Sequence, residues 1–112
     1  VELNVSAAFH SKFMLNAQLE LSEKIEGLNF LENNIKIISN FDARPHNDTV
    51  SIKKNLQNQM AHRVNWTKSI KNLELMEEKN ILEIGPGKVL SGLISRISKN
   101  FDIKSINQIS DL

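Results

Sequence analysis

Ile81-Leu82-Glu83-Ile84-Gly85-Pro86-Gly87-Lys88-Val89-Leu90, residues 81–90, is the stretch that decides the fold. Its first four residues read as a strand and its Gly-Pro-Gly as a tight turn. Val89, Leu90, Leu93, Ile94 and Ile97 then recur at helical spacing, which predicts a helix over 88–99 with those side chains inward. A last short strand follows over 103–107. Strand, turn, helix and strand in that order place the two strands parallel, with the helix against the sheet.

The same alternation extends toward the N-terminus. Residues 3–8 read as a strand ending near His10. Met14, Ala17, Leu21, Ile25 and Leu28 then mark one face of an amphipathic helix. Gly27 is its expected stop, in the left-handed C′ conformation. Ile35, Ile37 and Ile38 predict a buried strand over about 34–40, and Phe41–Asp48 a loop. Asp48 or Thr49 is placed to cap a helix carrying Ile52, Leu56 and Met60. A further helix begins near Trp66, with Ile70 and Leu73 inward. The class is α/β.

Composition narrows the function. The 112 residues carry 14 basic and 13 acidic side chains, a net charge of +1. That balance argues against a nucleic-acid binder, which concentrates positive charge on one face. No apolar run approaches the ~20 residues of a bilayer span, and no basic-then-apolar leader opens the chain. Cysteine is absent, so there is no thiol nucleophile and no cysteine-ligated metal. A cytoplasmic location is expected. The chain begins at Val1, in residues that already alternate like the middle of a strand, which leads us to expect a piece of something longer.

The three histidines, at 10, 46 and 62, fall on different elements without metal-ligand spacing. His46 and His62 are expected to be solvated, and Trp66 to be a packing anchor. His10 sits at the carboxyl end of a strand and the start of a helix, the edge where open α/β sheets bind ligands. On the residues alone, a histidine that caps a helix start or is satisfied in the core is favoured over a catalytic base. The glycine turn matches neither G-x-x-x-x-G-K-[ST] nor G-x-G-x-x-G, so a sharp structural turn is favoured over a phosphate cradle. No G-x-S-x-G elbow occurs, and Ser91 lies inside a predicted helix. A candidate base is present without a nucleophile.

Three segments together carry a resemblance: Val5-Ser6-Ala7-Ala8-Phe9-His10-Ser11-Lys12-Phe13-Met14, Val64-Asn65-Trp66-Thr67-Lys68-Ser69-Ile70, and Glu83-Ile84-Gly85-Pro86-Gly87-Lys88-Val89-Leu90-Ser91-Gly92-Leu93. In this order they resemble the C-terminal part of bacterial malonyl-CoA:acyl carrier protein transacylases and of related acyltransferase domains. The resemblance implies that residues 1–112 are the C-terminal segment of the catalytic domain. It implies the C-terminal part of an α/β-hydrolase-like core, with parallel strands and flanking helices, and residues 1–4 as the end of a ferredoxin-like subdomain.

It further implies malonyl transfer from coenzyme A to the phosphopantetheine thiol of acyl carrier protein, through an acyl-serine. His10 matches the family's general base and acid, oriented by the main-chain carbonyl of Gln59, seven positions before Trp66. Phe9 matches a residue tied to malonyl over methylmalonyl selectivity. The sequence departs at His62-Arg63, where many members have Asn-Pro. The family's serine, carboxylate-binding arginine and oxyanion residues lie upstream of the equivalent of Val5, so this chain alone is expected to be inactive. The implied partners are acyl carrier protein, malonyl-CoA and the upstream part of the same enzyme, with no nucleic acid, membrane or cofactor. The competing expectation is a non-catalytic acyltransferase-like module that binds acyl carrier protein or a partner enzyme.

Overall fold

Residues 7–112 are described in a computed structural model of the chain. The strand expected at 3–8 and the subdomain end expected at 1–4 therefore fall on or reach into residues outside those described. Ala7 and Ala8, which are described, belong to no strand. The chain divides into two compact units, one ending at Trp66 and the other beginning at Thr67.

In the first unit, Ser11 caps a single 3-10 turn, Lys12–Met14, that leads into helix α1 (Leu15–Glu26). The Ser11 hydroxyl accepts from the Phe13 amide and donates to the Ala8 carbonyl, 2.7 Å away. Ile25 and Gln18 are buried on the inner edge of α1. Gly27 ends the helix, but at φ −75°, so the left-handed cap expected there is not formed. The helix closes instead through the Gly27 and Leu28 amides, which donate to the Glu23 and Ile25 carbonyls and need no positive φ.

Helix α2 (Thr49–Asn58) starts at Asp48, whose carboxylate accepts from the Ser51 amide at 2.7 Å. That bond, chiefly, holds the Asp48 carboxyl below its usual range. The two helices are fastened by polar side chains. Lys53 Nζ donates to the Glu26 carbonyl at 2.7 Å, and Gln57 Nε2 donates to the Ser22 carbonyl and the Glu26 carboxylate. Gln18 Oε1 accepts from the Ala61 amide at 2.8 Å.

Between these helices the structure corrects the expected strand over 34–40. Only β1 (Ile37–Ile38) is extended, and Ile35 and Ile37 are exposed. Its partner β2 (Pro45–His46) lies inside the expected loop and runs antiparallel, with Ile37 opposite His46. The cause is local. The Ser39 hydroxyl and Asp42 carboxylate accept from the Phe41 and Arg44 amides, and Ala43 turns at φ +61°. A reversal this short can only return an antiparallel neighbour.

The second unit contains the parallel sheet. Helix α3 (Trp66–Leu75) opens on the last residue of the first unit and buries Ile70. It ends with Glu77 at φ +61°. The Glu78 amide reaches the Leu73 carbonyl and the Glu77 amide that of Glu74, the Schellman pattern usually given to glycine. Strand β3 (Asn80–Ile84) pairs parallel with β4 (Asp102–Ile106), Asn80 opposite Asp102 through Ile84 opposite Ile106. Helix α4 (Val89–Ile97) connects them. The α/β reading with a parallel pair holds.

The expected inner face of α4 holds only in part. Ile94 is buried, whereas Val89 is 70% exposed and Leu90 and Leu93 are also exposed. Two strands stand about 5 Å apart, less than the ~10 Å diameter of a helix. The pair therefore covers one strip of α4. Leu82 and Ile84 of β3 are exposed as well. Among the described residues, no helix is long and apolar enough to cross a membrane.

Candidate functional site

The site is built around the end of α2. The last carbonyls of a helix lack partners within it, and the turn after Asn58 offers several in succession. The Asn58 carbonyl takes the His62 ring, whose Nδ1 lies at 2.7 Å. The next carbonyls converge on His10. Its amide donates to the Met60 carbonyl at 2.8 Å. Its ring Nδ1 lies 3.0 Å from the Gln59 carbonyl and 3.2 Å from that of His62.

These contacts assign the tautomer. A carbonyl oxygen only accepts, so Nδ1 carries a hydrogen, and in the neutral ring Nε2 keeps the lone pair. The ring is exposed and its backbone stands at φ +61°, a conformation open to histidine more readily than to most residues. An exposed imidazole held at Nδ1 can take a proton at Nε2 and return it. The structure thus brings His10 and the Gln59 carbonyl together. Phe9, 56% exposed, precedes the histidine directly. The carbonyls of Met60 and His62 were not anticipated from the sequence, because a main-chain atom leaves no mark in residue identity.

The other histidines stand apart. His46, expected to be solvated, is half-buried and donates from Nε2 to the Asp42 carboxylate at 2.7 Å. Partial burial pushes the Asp42 carboxyl up, but the Arg44 amide, His46 and Asn55 together hold it below its usual range. His62 is exposed, with its ring edge-on to Phe41 at 4.9 Å. Among the described residues, no three His, Cys, Asp or Glu side chains are placed to hold a metal ion. Trp66 is half-buried, and its indole N–H finds no hydrogen-bond partner among the described residues.

The glycine turn is structural. Gly85 and Gly87 sit at φ +139° and +93°, and their amides donate to the Ile106 carbonyl and to Asn107 Oδ1. Two of the first-turn amides of α4, which a phosphate would need, are already occupied. Leu90 and Ser91 donate to the two oxygens of Glu83, each at 2.9 Å, and the Ser91 hydroxyl bonds the same carboxylate. The Ser91 hydroxyl first, then the Ser91 and Leu90 amides, hold the Glu83 carboxyl below its usual range.

Glu83→Gln, which cannot accept from both amides in the same way, is expected to lower the unfolding temperature at pH 7. A depressed carboxyl stabilises above its unfolded pKa, and that contribution is lost as pH falls through the folded one. The gap between wild type and variant should therefore narrow below the ordinary glutamate pKa of about 4.3. Thermal unfolding followed by circular dichroism at pH 7 and pH 3 measures it.

No protein-family model matches the chain. Over all 112 residues it is 34% identical to the malonyl CoA-acyl carrier protein transacylase of Synechocystis sp., of which it spans 38%. The crystal structure of the Synechocystis malonyl-CoA:ACP transacylase aligns with 99% of this chain and 38% of its own, at 33% identity and a TM-score of 0.93. The chain is homologous to the C-terminal part of malonyl CoA-acyl carrier protein transacylases.

A transacylase of polyketide biosynthesis from Bacillus subtilis is 42% identical over 98 residues, which are 88% of this chain and 34% of that one. A malonyl-transacylase solved in complex with a type II polyketide synthase acyl-carrier protein matches 97% of this chain and 35% of its own, at 28% identity and a TM-score of 0.90. The chain spans about a third of the length of the curated transacylases it matches.

Proposed function

We propose that residues 1–112 are the histidine-bearing segment of a malonyl-CoA:acyl carrier protein S-malonyltransferase, with His10 as its general base and acid. The observation that carries the reading is the His10 ring, held at Nδ1 by the carbonyls of Gln59 and His62 with Nε2 left to accept a proton. Homology to transacylases over the whole chain supports the choice of reaction. The relative solved with its acyl-carrier protein supports that class of acceptor.

The reaction proceeds in two displacements. Nε2 takes the proton of a serine from the upstream part of the enzyme as its oxygen attacks the malonyl thioester carbonyl. The carbon–sulfur bond breaks, Nε2 protonates the departing coenzyme A sulfur, and malonyl remains as a serine ester. The phosphopantetheine thiol of acyl carrier protein then gives its proton to Nε2 and takes the malonyl group, and the serine is reprotonated. No cofactor is consumed. The parallel pair β3–β4 and its helices belong, on this reading, to an α/β-hydrolase-like core that the upstream part completes. Residues 1–4 are then the end of a ferredoxin-like subdomain, and the reaction is cytoplasmic.

The test joins residues 1–112 in frame to the upstream part of the Synechocystis enzyme. This joined protein should transfer radiolabelled malonyl from coenzyme A to acyl carrier protein. Residues 1–112 by themselves should show none above background. Transfer by the chain alone contradicts the reading, and an inert joined protein that still binds acyl carrier protein favours the non-catalytic module.

Phe9 sets selectivity by bulk, since a ring beside the base crowds the place of an α-methyl group. Phe9→Ser in the joined protein should raise methylmalonyl relative to malonyl transfer by roughly 10–200-fold, the range for one methyl-sized difference. Competition between the two thioesters measures the ratio.

A further inference from the structure

Three of four consecutive residues of one turn hold His10, and the fourth is held by a residue with no other assigned part. The carbonyls of Gln59, Met60 and His62 point to His10. The amide of the fourth member, Ala61, donates to Gln18 Oε1 at 2.8 Å. Gln18 is 8% exposed and Ala61 7%, so the bond is made out of water. A buried amide without its acceptor costs more than an exposed one, so the bond constrains the turn strongly.

Gln18 also occupies an odd place. It lies on the inward edge of α1, four residues after Met14 and seven before Ile25, a place aliphatic side chains ordinarily fill. A buried glutamine there loses side-chain freedom and the transfer energy of an aliphatic group. Its return is a fixed link across 43 residues to the turn that holds the imidazole. Gln18, on α1, follows His10 by eight positions in the chain, so the segment that bears the ring leads directly into the helix whose side chain holds the ring's cradle.

We infer that Gln18 is a positioning residue: through the Ala61 amide it orients the 59–62 turn so that two carbonyls fix His10 as the Nδ1–H tautomer. The inference rests on the reading of His10 as the base, and gives that base its supporting contact.

The experiment reads the ring itself. In the full chain, 15N-labelled at histidine, the ring nitrogen shifts of His10 report the ratio of Nδ1–H to Nε2–H tautomers. Gln18→Met, similar in length and without an oxygen acceptor, should lower that ratio by roughly threefold to tenfold, the scale set by one lost hydrogen bond. Gln18→Glu keeps an oxygen in place and should restore the wild-type ratio. A wild-type ratio in a folded Gln18→Met variant overturns the inference. If Gln18→Met does not fold, Gln18→Asn, too short to reach Ala61, takes its place with the same expectation. If neither folds, Gln18 serves the fold as a whole and the positioning role is overturned. The tautomer is read without turnover, so this result stands apart from any failure of His10 as a base.

Discussion

His10→Ala in the joined protein is expected to reduce malonyl transfer by about 10²–10⁴-fold, the usual worth of a positioned general base. This corresponds to roughly 2.7–5.5 kcal/mol of transition-state stabilisation. The serine oxygen would have to lose its proton to water, and the leaving sulfur would lose its donor. Both displacements use the same imidazole, so transfer from coenzyme A and transfer to acyl carrier protein should fall together. Alanine also inherits a backbone at φ +61°, which it tolerates poorly. His10→Asn separates the two effects, because asparagine accepts left-handed dihedrals and cannot serve as the base. Steady-state assays should find both variants equally slow, with the asparagine variant the more stable. An asparagine variant near wild-type rate removes His10 from the chemistry.

The second large effect is on folding. Ile70 is the largest side chain fully buried among the described residues, at 2% exposure. Ile70→Ala deletes three carbons from the interior of α3, and such truncations cost about 2–5 kcal/mol according to how far the surroundings relax. Urea unfolding should show a lower midpoint with an unchanged slope. Leu75, on the same helix but 81% exposed, provides the contrast: Leu75→Ala should move stability by no more than about 0.5 kcal/mol. Equal losses at the two positions would show that burial in α3 is not what stabilises the second unit.

Much of this architecture was legible because it rests on periodicity and turn chemistry. The β3–α4–β4 run declares itself through branched strands around Gly85-Pro86-Gly87, and the start of α2 through Asp48. The β1–β2 pair was hidden, because its cause is a set of side-chain bonds within 39–44 rather than any hydrophobic pattern. Ile35 and Ile37 read as core and are exposed, since apolar identity does not say what covers a residue. The inward face of α4 was overdrawn for the same reason.

The site was legible unevenly. His10 and Gln59 could be named only through the resemblance carried by the segments around Phe9 and Trp66, since the Gln59 contact is made by a backbone atom. The carbonyls of Met60 and His62 had no signal at all. Gln18 had one: a polar residue on the stripe that carries Ala17, Leu21 and Ile25 needs a buried partner. Glu83 had a weaker one. Its carboxylate reaches forward seven and eight residues to cap α4, outside the three-residue spacing by which capping acids are recognised.

The most direct test of the central claim is the first half-reaction, followed by intact-mass spectrometry of the joined protein after brief mixing with malonyl-CoA. With His10 present, one malonyl group should appear on the upstream serine, and with His10→Asn it should form at least about a hundredfold more slowly. Equal rates of adduct formation in the two proteins would contradict the assignment of His10 as the base that activates that serine.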